Sequence, residues 1–334
     1  MKNKKIILLC LIMLLLTGCT TYLKDEDKKS VTNPHTGQNL TENILCRPTD
    51  SETIKIYEEY EVDLDKLPYC VCEKNTYTNS SYTNGEYTEN EYECEEFGIT
   101  TGGYEGLWTN LFVKPLAWVI IFIGKHLNNF GIGLIITSLL IRLIAYPFTN
   151  KTAMQSELIK KAQPELDRLE KKYANKDLND QNVMMMKSQE MMAIYKKYNI
   201  NPLSGCLFSF IQLPLFIGFL EAINRVPAIF EETFLGLHLG TSPMVGIQNG
   251  NWWYVIIIAL VGLTTYFSFK MNSKDMPAAN TGDVKKQTNM MMNIFIIMID
   301  VMSVFMTSAL GIYWITTNLF TILQNIIVKR RTRK

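Results

Sequence analysis

Long apolar runs alternate with charged segments along the chain after residue 106. Five of these runs approach the roughly 20 residues that an α-helix needs to cross a bilayer. They predict membrane spans at 130–148, 203–223, 252–269, 290–306 and 309–328. Only Thr307 and Ser308 separate the last two spans, which predicts a tight hairpin. The pattern therefore predicts an all-α polytopic membrane protein with five transmembrane helices.

The segment 149–200 follows a different pattern from the spans that flank it. Charged and apolar positions alternate at helical spacing over Ser156–Ala174 and Val183–Tyr198, with a polar turn between them. This predicts a helical hairpin outside the bilayer. Its second helix is rich in methionine, a soft and polarizable side chain that suits variable apolar partners. Simple packing between the two helices explains the methionines equally well.

The apolar run Leu107–Ile123 is interrupted by Lys114 and Pro115 and carries Trp108 and Trp118. Interrupted apolar runs with aromatic residues are typical of amphipathic helices that lie in the membrane interface. We therefore expect an interfacial helix over 107–129, on the outer side of the membrane. A spanning helix is the alternative, but one more crossing would invert every later loop.

The first residues have the pattern of a processing signal. Three lysines precede the apolar run Ile6–Leu16, and the string Leu16-Thr17-Gly18-Cys19 follows. That string resembles the bacterial lipobox, in which the cysteine becomes the lipid-modified first residue of the mature protein. We therefore predict a signal peptide over 1–18 and lipidation at Cys19. An ordinary signal peptide and an uncleaved anchor are the alternatives.

Charge is distributed very unevenly along the chain and fixes the predicted orientation. Residues 20–106 carry 19 acidic and 7 basic side chains, a net charge of −12, although the whole chain carries +1. With Cys19 outside, the basic clusters in 149–200, 270–289 and the tail 329–334 all lie in the cytoplasm, as the positive-inside rule requires. We expect a protein of the bacterial plasma membrane with its C-terminus inside.

The acidic segment 19–106 contains four cysteines, Cys46, Cys70, Cys72 and Cys94. An even number outside the cytoplasm predicts two disulfides, with three pairings open. Free thiols are the alternative, and no histidine stands at ligand spacing for a metal site. The fold of this segment stays open: Asn84-Gly85 favours a β-hairpin, whereas the polar composition also fits a solvated spacer.

Arg142 is the most unusual residue of the apolar runs. A charged side chain in hydrocarbon costs on the order of 3 kcal/mol, and a guanidinium cannot lose its charge. Because Pro147 is expected to end the segment soon after Arg142, this arginine either reaches the cytoplasmic surface or faces a polar cavity. Polar residues in the other runs favour the cavity. The candidate groove residues are Arg142, Thr137, Ser138, Gln212, Thr264, Thr265, Thr317 and Asn318.

No arrangement of residues typical of an enzyme is found in the sequence. The three histidines are scattered, no glycine-rich phosphate loop is present, and Asp300 has no second aspartate within the predicted spans. We therefore expect neither catalysis nor a cofactor.

Several strings match a known family in order and spacing. They are Lys161–Glu165, Lys171–Tyr173, Tyr195–Cys206, Gln212–Phe216 and Ala309–Trp314, followed by Asn318 and Gln324. With them, residues 107–330 resemble a YidC-type membrane protein insertase of the Oxa superfamily, here in lipoprotein form. Two positions depart from the family: Thr307-Ser308 replaces a common proline, and Phe269 stands where a glutamine is frequent.

The resemblance implies an insertase core over 130–328 that moves short hydrophilic tails across the bilayer and releases apolar segments into lipid. It adds Trp314 to the groove and makes Arg142 a transient counter-charge for substrate carboxylates. Nascent membrane proteins are the implied substrates, with the Sec translocon and the ribosome as candidate partners, and DNA is not expected to bind. A channel or transporter is the alternative function.

Overall fold

The structure is a computed structural model of the chain. It describes residues 20–34, 37–71, 76–83, 86–93, 95, 97–176, 180–201, 204–273 and 282–333. The signal segment, Cys19, Cys72 and Cys94 therefore lie outside the described residues.

Helices make up most of the described chain. The first is α1, Ser51–Glu59, and a short π-helical stretch, Thr109–Val113, leads into α2. The other helices are α2 (Lys114–Leu127), α3 (Phe130–Tyr173), α4 (Gln181–Lys197), α5 (Ser204–Asn224), α6 (Pro227–Glu231), α7 (Pro243–Gln248), α8 (Tyr254–Ser273), α9 (Gly282–Phe305) and α10 (Ser308–Arg333).

Two antiparallel hairpins complete the secondary structure of the described residues. The first joins β1, Thr76–Thr83, to β2, Glu86–Glu93, with Thr76 opposite Glu93. The second joins β3, Thr233–Phe234, to β4, Leu237–His238. The turn predicted at Asn84-Gly85 lies between β1 and β2, outside the described residues.

The chain divides into two compact units. The first unit comprises Met1–Thr137, Leu215–Val255 and Met306–Ile312. The second comprises Ser138–Pro214, Ile256–Phe305 and Tyr313–Lys334.

The N-terminal lobe, residues 20–71, is a folded part of the first unit. Its small core consists of Leu23, Leu40, Ile44, Tyr57 and Leu64. Asp50 caps α1 by accepting hydrogen bonds from the amides of Glu52 and Thr53, and a disulfide joins Cys46 to Cys70. This part of the acidic segment is therefore a module with its own core, whereas composition alone left a spacer open.

Helix α3 is much longer than the span predicted at 130–148. The expectation that the segment ends near Pro147 is wrong, because the helix continues through Pro147 and Pro164 to Tyr173. Proline removes one backbone donor, so Pro147 leaves only the carbonyl four positions earlier, that of Leu143, without its helical hydrogen bond, and the helix continues past this loss. Just after the proline, Thr149 Oγ1 donates to the carbonyls of Ala145 and Tyr146, at 3.3 and 3.2 Å. The predicted span and the first hairpin helix are thus one continuous helix.

Helices α9 and α10 also extend beyond the apolar runs. Helix α9 begins at Gly282, before the predicted start at 290, and α10 continues through the predicted tail to Arg333. The predicted span ends stay predictions, because a membrane span follows apolar composition and a helix can continue beyond it with polar residues. A helix itself ends only where its backbone hydrogen bonds end.

Length and composition identify four described helices that can cross a membrane. They are Thr109–Leu127, Phe130–Tyr173, Tyr254–Met271 and Ser308–Arg331. Two shorter apolar stretches, Pro214–Asn224 and Asn293–Phe305, lie within the second and fourth predicted spans. The five-span count and the interfacial position of 107–129 stay predictions, since Thr109–Leu127 is long enough to span as well.

In the second unit, α4 packs antiparallel against the distal part of α3. Tyr195 and Ile200 share a core with Ile159, Ala162 and Leu166. Ion pairs bracket this core: Lys172 lies 2.7 Å from Glu190, and Lys197 lies 2.5 Å from Glu165. These bonds lower the pKa of both carboxyl groups, chiefly through the hydrogen bonds from the lysines.

Candidate functional site

Helix α3 buries three of the predicted groove residues. Thr137, Ser138 and Arg142 are at most 5% exposed. Ser138 and Arg142 are four positions apart and therefore share a helix face. Thr137 lies in the first unit, and its hydroxyl donates to the Gly133 carbonyl at 2.7 Å, so it acts within its own helix.

Arg142 lies in the second unit beside Tyr313, with which it interacts electrostatically. Tyr313 is itself only 2% exposed. Among the residues that the structure describes, no carboxylate pairs with Arg142 and none accepts a hydrogen bond from it. A buried guanidinium that keeps its charge without a counter-ion is unusual, because buried charges in proteins are normally paired.

Thr265 connects α8 to α10. Its hydroxyl oxygen accepts a hydrogen bond from Trp314 Nε1 at 2.8 Å and another from Asn318 Nδ2 at 3.1 Å. Trp314 and Asn318 are four residues apart, so both side chains leave α10 on the same face. The structure therefore brings three of the predicted groove residues into direct contact.

Two other predicted threonines take part only in local bonds among those described. Thr264 Oγ1 donates to the Leu260 carbonyl at 2.7 Å, and Thr317 Oγ1 donates to the Trp314 carbonyl at 3.1 Å. Gln212, on α5, is half-buried, and no described residue forms a hydrogen bond with it.

The sequence analysis missed a second link between helices in this unit. Thr149 of α3 and Gln324 of α10 are both buried, and Gln324 Nε2 donates to Thr149 Oγ1 at 2.9 Å. Thr149 was overlooked because the span was expected to end at 148. Thr149 lies seven residues, or two helical turns, after Arg142. In a continuous helix this spacing places both side chains on the same face, which could have identified Thr149.

We call the buried polar residues of the second unit the polar seam. Helix α10 is its centre, since it contacts α3 through Gln324 and Tyr313 and contacts α8 through Trp314 and Asn318. As used below, the seam consists of the buried residues Ser138, Arg142, Thr149, Thr265, Tyr313, Asn318 and Gln324 together with the half-buried Trp314.

Asp300 of α9 lies beside the backbone of α8. A Cβ atom placed on Gly262 would be 2.9 Å from its Oδ1 oxygen, so glycine permits this close approach. Within the described chain, Oδ1 has no hydrogen-bond partner. The role of this carboxylate was left open at the sequence level.

The first unit contains a second buried charged cluster, which the sequence analysis did not predict. We call it the charged clamp, and it consists of Glu105, Trp108, Lys114, Glu221 and Arg225. Lys114 Nζ lies 3.3 Å from Glu105 Oε1, and Arg225 Nη2 lies 2.8 Å from Glu105 Oε2. Trp108 Nε1 donates to Glu221 Oε1 at 3.2 Å. The available signal was Lys114 inside an apolar run.

The methionines of α4 are exposed. Met184, Met185, Met186 and Met192 are 58%, 55%, 51% and 44% exposed. Met184, Met185 and Met192 line a shallow surface pocket together with Gln181, Ser188 and Gln189. Met191, also on α4, packs instead against the hairpin core.

Comparison with known proteins identifies the family. The family model described as 60Kd inner membrane protein matches residues 122–334. A membrane protein insertase YidC from Oceanobacillus iheyensis is 32% identical over 232 residues, which are 69% of this chain and 86% of that protein. The chain belongs to the YidC family.

Other YidC relatives show similar coverage. The membrane protein insertase MisCA from Bacillus subtilis is 34% identical over 66% of this chain and 79% of that protein. A solved structure, titled as an active YidC insertase with its first transmembrane domain resolved, is 24% identical and gives a TM-score of 0.48. That match covers 67% of this chain and 48% of the solved chain. YidC-type insertases are multi-pass proteins of the plasma membrane, and the apolar helices of this chain agree with that.

Proposed function

We propose that this YidC-family chain inserts membrane proteins by moving short hydrophilic tails across the bilayer and releasing apolar segments into lipid. The observation that carries the proposal is Arg142, buried within the polar seam without a described counter-ion. An unpaired buried guanidinium can accept a carboxylate from outside the protein. It would do so in the bidentate geometry that arginine offers.

The energetic problem of insertion is the polar part of the substrate. Each unsatisfied backbone group costs several kcal/mol in hydrocarbon, and a charged side chain adds to that cost. A groove lined by the hydroxyl and amide groups of the seam shortens the dry path. Arg142 then stabilises an acidic tail while it crosses.

The apolar part of the substrate supplies the driving force. Transfer of apolar surface out of water contributes roughly 25 cal/mol per Å², so one substrate helix can outweigh a short polar tail. The proposed mechanism needs no nucleotide and no covalent step. The side chains of the seam only bind, orient and release.

In the proposed topology, Cys19 carries lipid outside, and α4 with the basic C-terminal residues lies inside. The exposed methionines of α4 offer a polarizable apolar surface for the first contact with a nascent segment. The ribosome and the Sec translocon are proposed partners on that side. Attraction between the basic residues and ribosomal RNA would weaken as salt rises.

The test compares Arg142→Ala with wild type on matched substrates that carry zero, one or two tail carboxylates. We expect a loss of insertion of about tenfold or more for acidic tails, since a hydrogen bond to a charged group is worth 1.5–3 kcal/mol. Substrates without carboxylates should change little, and Arg142→Lys should keep part of the activity.

The matched control is Arg168→Ala, which removes an exposed arginine from the same helix. It should leave all three substrates unchanged. If Arg142→Ala slows every substrate equally, Arg142 hydrates or supports the seam, and the charge-pairing mechanism is wrong.

Transport of ions or small solutes is the second candidate function, and Asp300 is the observation that favours it. A carboxylate oxygen without a described partner, on a helix with an apolar stretch, is typical of ion pathways. Purified protein in sealed vesicles distinguishes the two functions. Ion flux that Asp300→Asn abolishes would support transport, whereas the insertase proposal expects none.

A further inference from the structure

The N-terminal lobe lies outside the family match, which begins at residue 122, and no role is assigned to it. In the structure it packs against the loop between α5 and α8, residues 225–253, within the first unit. The Leu45 amide donates to the Arg225 carbonyl at 3.0 Å. Gly37 lies so close to Val245 that a Cβ atom would be 2.9 Å from its methyl carbon.

Glu231 is the main polar contact between this loop and the lobe. Its carboxylate accepts hydrogen bonds from the amides of Thr49 and Asp50, at 2.9 and 3.2 Å, and from the Thr49 hydroxyl. These donors lie at the start of α1, where the helix dipole favours a negative charge. Hydrogen bonds to a charged acceptor are about twice as strong as neutral ones.

The disulfide holds the strip 45–50, which contacts the loop, in place. Cys46 lies between Leu45 and Thr49, and its bond to Cys70 ties the strip to the end of the lobe. The neighbouring Arg47 amide donates to the Pro68 carbonyl at 2.8 Å, so the two segments run side by side. Without the disulfide, the strip 45–50 would have more freedom in the undocked state, and docking would cost more entropy.

The charged clamp makes a second connection, between the end of the acidic segment and the end of α5. Lys114 Nζ donates to the carbonyls of Thr101 and Gly103, at 2.9 and 2.5 Å. Glu105 bridges Lys114 to Arg225, which directly follows α5. Lys114 and Arg225 are at most 1% exposed, so both charges depend on these partners.

The same loop also holds the first residues of α10. The Ser308 amide and hydroxyl donate to the Thr241 carbonyl, at 3.1 and 2.7 Å, and the Ala309 amide donates to the Leu239 carbonyl at 3.0 Å. A proline at 308 would lack this amide donor. The departure from the family at Thr307-Ser308 therefore coincides with an anchoring contact. Helix α10 continues from this anchor into the polar seam.

We propose that the N-terminal lobe is an intramolecular cap that holds the α5–α8 loop and, through it, the start of α10. The cap is fastened by Glu231 on the strip 45–50, and the Cys46–Cys70 disulfide keeps that strip competent to dock. The acidic segment is therefore a working part of the insertase, and its partner is the chain's own loop.

Amide hydrogen exchange of the full chain in lipid nanodiscs tests the cap. Glu231→Ala should speed exchange of the amides at 45–50 and at 237–250 by roughly tenfold, the size expected for losing charge-assisted hydrogen bonds. Glu231→Gln should give an intermediate effect. The double variant Cys46→Ser with Cys70→Ser should also speed exchange in both segments. Lys66→Ala, which breaks an exposed ion pair with Asp63 in the same lobe, is the matched control and should change neither.

The decisive observation is whether residues 45–50 and 237–250 lose protection together. If the lobe exchanges faster in these variants while 237–250 keeps its protection, the loop is stable without the lobe and the cap is wrong. Insertion assays distinguish the cap proposal from the groove mechanism. This part of the test rests on the proposed insertase function. Cap variants should slow substrates with and without tail carboxylates by the same factor. Equal slowing there, with normal carboxylate dependence, would leave the Arg142 mechanism intact.

Discussion

The charged clamp of the first unit and the polar seam of the second unit both bury arginine, but they treat its charge in opposite ways. Arg225 lies 2.8 Å from Glu105, and the clamp holds two basic and two acidic residues. Arg142 is equally buried, but among the described residues it has only the electrostatic contact with Tyr313. The clamp therefore uses its charges to hold its own elements together. The seam keeps a buried charge without a described counter-ion.

The difference matters because a buried charge is costly unless it is paired. A protein that keeps an unpaired one gives up stability, and function is the usual reason for such a sacrifice. Burial alone would not distinguish the two arginines. Their partners do, and each of the following experiments changes one side of this comparison.

The largest effect is expected in the clamp. Lys114→Met should destabilise the first unit by about 3 kcal/mol or more, since it leaves Glu105 Oε1 and two carbonyls without this donor. Unfolding in detergent, followed by hydrogen exchange of 97–127, measures this loss. Glu105→Gln should cost less in the Lys114→Met background than in the wild-type chain, because one of the two partners of Glu105 is already gone. Additive losses in the double variant would contradict the pairing.

The opposite sign is expected in the seam. Arg142→Met removes a buried charge that has no described counter-ion, so the free energy of unfolding should stay equal or rise by about 1 kcal/mol. The same detergent unfolding experiment measures it, with Arg225→Met as the comparison that should destabilise strongly. Strong destabilisation by Arg142→Met would show that the guanidinium has structural partners and is not free for substrate.

An effect smaller than that of the clamp is expected at Thr265, whose hydroxyl oxygen joins α8 to α10 in the seam. Thr265→Val keeps the shape but removes the acceptor for Trp314 and Asn318, at a cost of about 1–3 kcal/mol for the unpaired donors. Thr264→Val is the matched control, because it removes only a bond within its own helix. The blue shift of Trp314 fluorescence should differ between the two variants. Identical spectra and stabilities would argue against the link between α8 and α10.

The seam was largely predictable from sequence, because a polar side chain in an apolar run is stable only where it contacts other polar groups. Thr265, Trp314 and Asn318 were all predicted, and the structure joins them. Thr149 was missed, since an expected stop at Pro147 hid the next helical turn. The clamp could not be predicted, because Glu221 and Arg225 lie more than 100 residues after Trp108 and Lys114, and only the fold brings them together.

The fold shows the same division between local and long-range information. Apolar periodicity located the long helices and the charged hairpin, but α3, α9 and α10 all continue beyond the apolar runs. The lobe was the least predictable part. Its core depends on long-range contacts such as Leu23 with Tyr57, which a polar composition conceals.

The smallest effect is expected at His238. Like the two arginines it is a basic side chain that is at least partly buried, but its charge can be changed by pH. It is partly buried on β4, and its Nδ1 atom has no hydrogen-bond partner in the described chain. Burial lowers the pKa of His238 below the usual 6.5, although the negative charges of Asp50 and Glu231 act in the opposite direction. Unlike Arg142, this side chain can avoid an unpaired buried charge by losing its proton.

The lowered pKa fixes the sign of the pH dependence. As pH falls below about 6.5, the unfolded chain binds the proton first, so the folded first unit loses stability until the folded-state pKa is passed. The protection factors of the amides at 237–250, corrected for the slower intrinsic exchange at low pH, should therefore fall between pH 7.5 and pH 5, a range that brackets the histidine pKa. His238→Gln should flatten the profile of protection against pH, whereas His126→Gln, at an exposed site, should not. Higher protection at low pH would mean that Asp50 and Glu231 outweigh burial, and His238 would then strengthen the cap when protonated.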